Sequence, residues 1–332
     1  MKLALVGATG LVGKTVLGML SRLPVNELIA VASERSFGKT LTFNGKEVCI
    51  QSIEEALESK PDIAIFSAGS EISKKYAPLF SSNGCYVIDN SSAWRMDDSV
   101  PLVIPEINGD LLTRDHFLIA NPNCSTIQMV MVLHPIAAKY GLKKVIVSTY
   151  QSVTGSGYSG LSQLISEREE QVVENPVYPY PIDLNCIPQC DSFLENDYTR
   201  EEMKLVNESR KILNIPHLPV HATAVRVPVI GGHSESVYIE LEKTFAIGDI
   251  RVLLEKSPGI KVLDEPRMNR YPMPAIAHNK DEVFVGRIRK DLDNDRALGL
   301  WVVADNLRKG AASNALQIAS IIYHRFLANA PS

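Results

Sequence analysis

The stretch Lys2-Leu3-Ala4-Leu5-Val6-Gly7-Ala8-Thr9-Gly10-Leu11-Val12-Gly13 decides the fold. Its first part is an apolar strand, and from Lys14 onward Leu17, Leu20 and Leu23 recur at helical spacing. Strand, glycine turn and helix in succession open a dinucleotide-binding unit. Glycines let the backbone approach a pyrophosphate closely, while the amides and dipole of a helix start favour its negative charge. The spacing is G-x-x-G-x-x-G instead of G-x-G-x-x-G, so the glycines take their meaning from the elements downstream of them.

Those elements alternate between strand and helix. Residues 28–32, 63–66 and 86–88 read as further strands and 72–81 as a helix, a pattern that predicts a parallel sheet. The second strand runs into Ser33-Glu34-Arg35-Ser36, where such folds choose between a ribose hydroxyl and a ribose phosphate. Glu34 could accept from the ribose of NAD. Ser33, Arg35, Ser36 and Lys39 offer hydroxyl and cationic partners for the extra phosphate of NADP, the reading favoured here, and a solvated loop of mixed charge is the ordinary alternative. Ser67-Ala68-Gly69-Ser70 comes after the third strand, at the carboxyl-end position where open sheets bind ligands.

With 332 residues, 45% of them hydrophobic and 22% charged, the chain can bury a large core and is long enough for two domains. A net charge of -4 with interspersed signs offers no footprint for nucleic acid. The start lacks the long apolar core of a signal peptide, and no apolar run is long enough for a membrane span. Five scattered cysteines without Cys-x-x-Cys spacing disfavour both a disulfide framework and a zinc site. A reducing, cytoplasmic setting is expected.

One cysteine stands apart. Cys124 lies in Asn121-Pro122-Asn123-Cys124-Ser125-Thr126, after a strand at 117–120 and at the start of a long apolar helix that Gly141 would end. A helix amino terminus stabilises a thiolate and supplies amides to an oxyanion, as an enzyme attacking a carbonyl with sulfur requires. The alternative is a buried, inert cysteine.

Gly7-Ala8-Thr9-Gly10-Leu11-Val12-Gly13, Asn123-Cys124-Ser125-Thr126, Gln151 followed by Thr154-Gly155-Ser156-Gly157, and Asp305-Asn306-Leu307-Arg308-Lys309-Gly310-Ala311-Ala312 together resemble aspartate-semialdehyde dehydrogenase, in order and over nearly the whole chain. The resemblance implies reduction of aspartyl phosphate by NADPH to aspartate semialdehyde and phosphate, on the route to lysine, threonine and methionine. It implies a cysteine thioester on Cys124, a homodimer formed through the middle domain, and a cofactor site that includes Gly7, Thr9, Gly10, Leu11, Val12, Gly13, Ala68, Gly69, Ser156, Gly157 and Asn306.

The other candidates rest on residue chemistry together with this resemblance. His233, in Gly231-Gly232-His233-Ser234-Glu235 just before a strand at 237–241, matches the family's acid-base histidine, since imidazole ordinarily titrates near neutrality. Arg226 interrupts an apolar strand and needs an anion there. It matches the arginine that grips the substrate α-carboxylate, and a buried ion pair within the protein is the plain alternative. Gln151, after a strand at 145–149, resembles the glutamine that orients the acyl intermediate, against a simple loop amide. Thr199 and Glu202 have capping-box spacing, which leaves Glu201 and Lys204 on one helix face to meet substrate ammonium and phosphate, although a surface salt bridge would look the same. Arg95 matches a phosphate-binding arginine, and Asn123 joins the substrate residues.

Two departures bear on the cofactor: Glu34 puts an acid beside the expected phosphate site, and Ser70 stands where a second glycine is expected. The expected architecture is α/β: an N-terminal Rossmann-type dinucleotide-binding domain over 1–122 plus 306–332, with the closing helix returning to it, and an α+β substrate and dimerisation domain over 123–305. Two rivals are an N-acetyl-glutamyl-phosphate reductase, whose cysteine segment differs, and a regulatory nucleotide-binding protein, which would not need both Cys124 and His233.

Overall fold

A computed structural model describes residues 1–328, so 329–332, the end of the expected 306–332 span, lie outside the described residues. The chain divides into two compact units, Met1–Pro122 with the segment from Ala311 on, and Asn123–Gly310.

The first unit is built on a seven-stranded sheet of β1 (Lys2–Val6), β2 (Glu27–Val31), β3 (Thr40–Phe43), β4 (Lys46–Gln51), β5 (Ile63–Phe66), β6 (Tyr86–Asp89) and β7 (Leu118–Ala120), in the order β3-β4-β2-β1-β5-β6-β7. Every pairing is parallel except β3 with β4. Side chains alternate along a strand, so β1 divides its apolar residues between two cores. Leu3 and Leu5 join Val16, Leu20, Ile318 and Ile322, whereas Ala4 and Val6 join Phe66, Tyr76 and Phe80. Both faces are thus buried, each large apolar side chain contributing roughly 1.5–3 kcal/mol.

The closing helix Ser313–Ile322 completes the first of these cores. Its Asn314 amide donates to Val103 O at 2.9 Å and to Asn121 Oδ1 at 2.7 Å, locking it to the first unit's own loops. The β3–β4 hairpin was not expected from the sequence, although its turn, Asn44-Gly45, has positive φ at both residues (50° and 75°), the geometry such a dipeptide favours.

The second unit carries a six-stranded mixed sheet of β8 (Leu142–Gln151), β9 (Val220–Arg226), β10 (His233–Leu241), β11 (Ile260–Val262), β12 (Val283–Lys290) and β13 (Ala297–Ala304), ordered β11-β12-β13-β10-β8-β9. The helix Cys124–Tyr140 packs on one face of this sheet and is buried along nearly its whole length. The division between units falls at Gly310/Ala311, not at the expected 305/306. Asp305 Oδ1 accepts from the amides of Leu307 and Arg308, Asp305 Oδ2 accepts from Asn279 N, and Thr154 donates to Asn306 Oδ1, so these residues belong to the second unit. Among the described residues no helix is long and apolar enough to cross a membrane, and no cluster of ligand side chains could hold a metal ion.

Candidate active site

Three strands of the second unit end in one row. Gln151 is the last residue of β8 and pairs with Arg226, the last of β9. His233 opens β10, one residue beyond the Ser234–Tyr150 pair, and therefore sits beside Gln151. The sequence placed Gln151 after its strand and His233 before its own. Both are strand residues, because Gln151 pairs with Arg226 on β9 and His233 with Ala304 on β13. Gln151, Arg226 and His233 are all buried.

Ser152, the next residue after Gln151, ties the row together. Its carbonyl accepts from Arg226 Nη1 at 2.7 Å and its amide donates to His233 Nδ1 at 3.0 Å. An N–H can only donate, so Nδ1 is the unprotonated nitrogen and the neutral ring carries its proton on Nε2. His233 Nε2 and Arg226 Nε are buried without a partner among the described residues. Burial and the adjacent Arg226 cation push the His233 pKa down to about 3. The expectation of a histidine titrating near neutrality is corrected accordingly: in the protein alone the ring is a neutral hydrogen-bond donor. Gly155 makes the close packing feasible, since a Cβ there would lie 2.8 Å from Arg226 Nη1 and 3.2 Å from His233 Cε1.

Cys124 is the first residue of its helix, and Asn123 is the cap. Asn123 Oδ1 accepts from the amides of Ser125 and Thr126 at 3.0 and 3.1 Å, its own amide nitrogen Nδ2 donates to Glu201 Oε1 at 2.9 Å, and its main-chain N–H donates to Glu208 Oε2 at 2.7 Å. Gly310 approaches from the other side: a Cβ there would fall 2.7 Å from Cys124 Cβ, so only glycine fits. Cys124 is half-buried, whereas Cys85 and Cys190 are fully buried, with thiol pKa values raised by desolvation, that of Cys190 to about 12.

Gln151 is held by three acceptors around one nitrogen: Ser125 Oγ at 3.0 Å, Glu201 Oε1 at 3.1 Å and Thr149 Oγ1 at 3.3 Å. Rotating the amide would set its oxygen against a carboxylate, so its orientation is fixed. Glu201 Oε2 also pairs with Lys204 Nζ at 2.9 Å. Burial alone would raise the Glu201 pKa, but the Lys204 charge and these hydrogen bonds outweigh it and bring it down to about 2. Lys204 is buried enough to disfavour its charge, yet Glu201 and Asp191 Oδ2, 3.0 Å away, hold its pKa up. The Glu201–Lys204 pair therefore joins a buried carboxylate to a half-buried cation and is not a fully exposed surface salt bridge. Thr199 and Glu202 form the capping box that positions this helix, Arg200–Leu213.

Several members of the network were not read from the sequence. Glu208 comes two helical turns after Glu201, a visible spacing, and Ser125 lies inside the cysteine segment. Asp191 and Ser152 carry no local signal. Tyr178, whose ring centroid lies 5.9 Å from Arg226 Cζ, sits in a loop pinned by Gln163 and Glu167. Asn306 and Ser156 border the same region: Asn306 accepts from Thr154 Oγ1, and Ser156 precedes Gly157, which starts a helix at φ 72°.

The remaining candidates are in the first unit. Gly10 caps the helix Leu11–Met19. A Cβ on Gly7 would lie 2.4 Å from Ser67 O and one on Gly13 2.1 Å from Gly7 O, so neither position of this turn admits a side chain. Gly69, at φ 88°, precedes the helix Ser70–Ser82, and Ser70 Oγ contacts Ser92 Oγ at 3.1 Å. Ser33, Glu34 and Arg35 are exposed, and neither Glu34 nor Arg35 makes an ion pair among the described residues. Arg95 is buried, with Nε donating to Asn121 O and Nη2 to Asn90 O.

Two family descriptions match: "Semialdehyde dehydrogenase, NAD binding domain" over residues 2–114 and "Semialdehyde dehydrogenase, dimerisation domain" over 133–309. The chain is 48% identical to the aspartate-semialdehyde dehydrogenase of Aquifex aeolicus over 331 residues, 97% of each protein. The structure of aspartate semialdehyde dehydrogenase II from Vibrio cholerae complexed with ASA is 43% identical, with a TM-score of 0.93 over 98% of this chain and 99% of that one. The Candida albicans enzyme with NADP is 25% identical, with a TM-score of 0.76 over 97% and 98%. With such likeness over nearly its full length, and both domains of the enzyme present in order, the chain belongs to the aspartate-semialdehyde dehydrogenase family and is an enzyme of that kind.

Proposed function

We propose that this enzyme reduces L-aspartyl 4-phosphate with NADPH to L-aspartate 4-semialdehyde and phosphate through a thioester on Cys124. The observation that carries the reading is the placement of Cys124 on the first turn of a buried helix, between Asn123 and Ser125, which share one hydrogen-bonded network with Gln151 and Glu201, while Arg226 and His233 share the row of strand ends to which Gln151 belongs.

The helix amides and dipole favour the Cys124 thiolate. Sulfur attacks the acyl carbon, the carbon–oxygen bond to phosphate breaks, and inorganic phosphate leaves with the bonding pair. Gln151, held through Nε2, positions the resulting thioester. The glycine turn, between β1 and the amino terminus of the helix Leu11–Met19, suits a pyrophosphate; Ser33, Arg35 and Ser36 are the accessible partners for a ribose phosphate, with Ala68, Gly69, Ser156, Gly157 and Asn306 completing the cofactor set. A nicotinamide cofactor bound by these residues would supply the hydride that reduces the thioester carbon. The hemithioacetal then loses its hydroxyl proton, expels the Cys124 thiolate and becomes the aldehyde.

Arg226 takes the substrate α-carboxylate through donors that include its unpartnered Nε, Glu201 takes the ammonium, and Lys204 with Arg95 serves the phosphate. Binding a carboxylate at Arg226 offsets the cation that depresses His233, so substrate raises the histidine pKa toward the range where it exchanges protons. A reducing, cytoplasmic setting suits a cysteine nucleophile that must stay unoxidised, and the match to a dimerisation domain suits assembly as a homodimer.

The test is NADP reduction by purified protein supplied with aspartate semialdehyde and phosphate. Turnover should need both and should disappear in Cys124→Ala. Turnover with N-acetylglutamate semialdehyde alone would reassign the substrate, full activity in Cys124→Ala would exclude the thioester, and preference for NADH over NADPH would move the ribose contact to Glu34.

A further inference from the structure

Glu235 is fully buried on β10, and neither of its carboxyl oxygens has a partner within hydrogen-bonding geometry among the described residues. A buried carboxyl with no partner is costly. It lies on the face shared by His233, two residues earlier, and directly opposite Thr149 on β8. Residues so paired have Cβ atoms about 4.5–5.5 Å apart and share one face.

Thr149, itself fully buried, accepts from Gln151 Nε2 at 3.3 Å, and its hydroxyl proton has no acceptor among the described residues. Gln128 stands in the same position. It lies one turn after Cys124 on the helix that covers this face, and both atoms of its amide are buried without a partner in that geometry. Thr149 O–H can donate to the Glu235 carbonyl oxygen and Glu235 O–H to Gln128 Oε1, an arrangement that leaves a Thr149 lone pair for Gln151 Nε2.

We propose that Glu235 and Thr149 are positioning residues that hold the Gln151 amide in its working orientation beside Cys124, through a relay running from Gln128 to Glu235, Thr149 and Gln151. A hydroxyl whose proton is committed to Glu235 must turn a lone pair to Gln151 Nε2. That adds a third fixed acceptor to Ser125 and Glu201. Desolvation keeps the Glu235 carboxyl well above the usual carboxylate range, in the protonated form the relay requires. The inference rests on the proposed role of Gln151 at the acyl intermediate.

Steady-state kinetics with aspartate semialdehyde tests it. Thr149→Val and Glu235→Leu should each lower kcat about tenfold, as a misplaced catalytic group does, with KM within about twofold. The double variant should be no slower than either single one, because both break one relay. Thr149→Ser and Glu235→Gln should restore the rate, since a hydroxyl and a neutral amide repeat the same donors and acceptors. Effects that multiply, or an unchanged kcat in Thr149→Val, would overturn the relay. If Glu235→Leu does not fold, the comparison of Thr149→Val with Thr149→Ser decides alone, and equal rates overturn it. Gln151→Ala separates the two claims: a slow Gln151→Ala with a fast Thr149→Val refutes only the relay, whereas a fully active Gln151→Ala refutes the role of Gln151 itself.

Discussion

His233 illustrates how a single residue acquires its chemistry from its neighbours. Its folded-state pKa, about 3, lies below the ordinary 6.5 because burial and Arg226 disfavour the cation. The unfolded chain therefore binds a proton that the folded one does not between these values, so the neutral ring contributes no penalty above pH 6.5 and stability is lost as pH falls from there toward 3. Thermal unfolding followed by circular dichroism should show a shallower fall over that window in His233→Asn than in the parent. Equal slopes would mean that the ring is not held neutral. The residue type was legible in Gly231-Gly232-His233, but the suppressed charge was not, since Arg226 reaches it from another strand and Gly155 from a third segment.

At the level of elements, the helix Arg200–Leu213 shows local rules serving the site. Thr199 Oγ1 accepts from Glu202 N at 3.2 Å and Glu202 Oε2 accepts from Thr199 N at 2.6 Å. Thr199→Ala should cost about 1 kcal/mol in urea unfolding, and it should raise KM for aspartate semialdehyde because the same first turn carries Glu201 and Lys204. A stability loss with unchanged KM would show that the cap does not position those side chains. The cap and the parallel strands β1, β2, β5, β6 and β7 were readable from periodicity and capping residues. The extent of β8 and β10 was not, because Gln151 and His233 are polar, and their strand conformation depends on partners far away in sequence.

On the scale of the molecule, the sheet of the second unit has two unlike faces. One lies under the Cys124 helix. The other presents half-buried or exposed residues that include Tyr150, Ser236 and Trp301, with Arg287 and Arg289 lining the same hollow. An aromatic, partly apolar face of this kind is suited to pairing with a second copy. Sedimentation should give twice 36.6 kDa for the parent, and Ser236→Arg, which adds bulk and charge to that face, should give 36.6 kDa. A Ser236→Arg dimer would place the interface elsewhere.

What the sequence determined by itself was local and chemical: the glycine turn after an apolar strand, Cys124 at a helix start, the Thr199 cap and the residue types that acyl transfer needs. These depend on neighbours within a few positions, where periodicity and capping act. The tertiary structure alone decided that a buried Glu201 pairs with a half-buried Lys204, that His233 is a neutral donor, that Glu235 lies opposite Thr149, and that the division between units falls after Gly310. Each depends on burial or on a contact between distant segments, and desolvation and charge coupling exist only once the chain has closed around them.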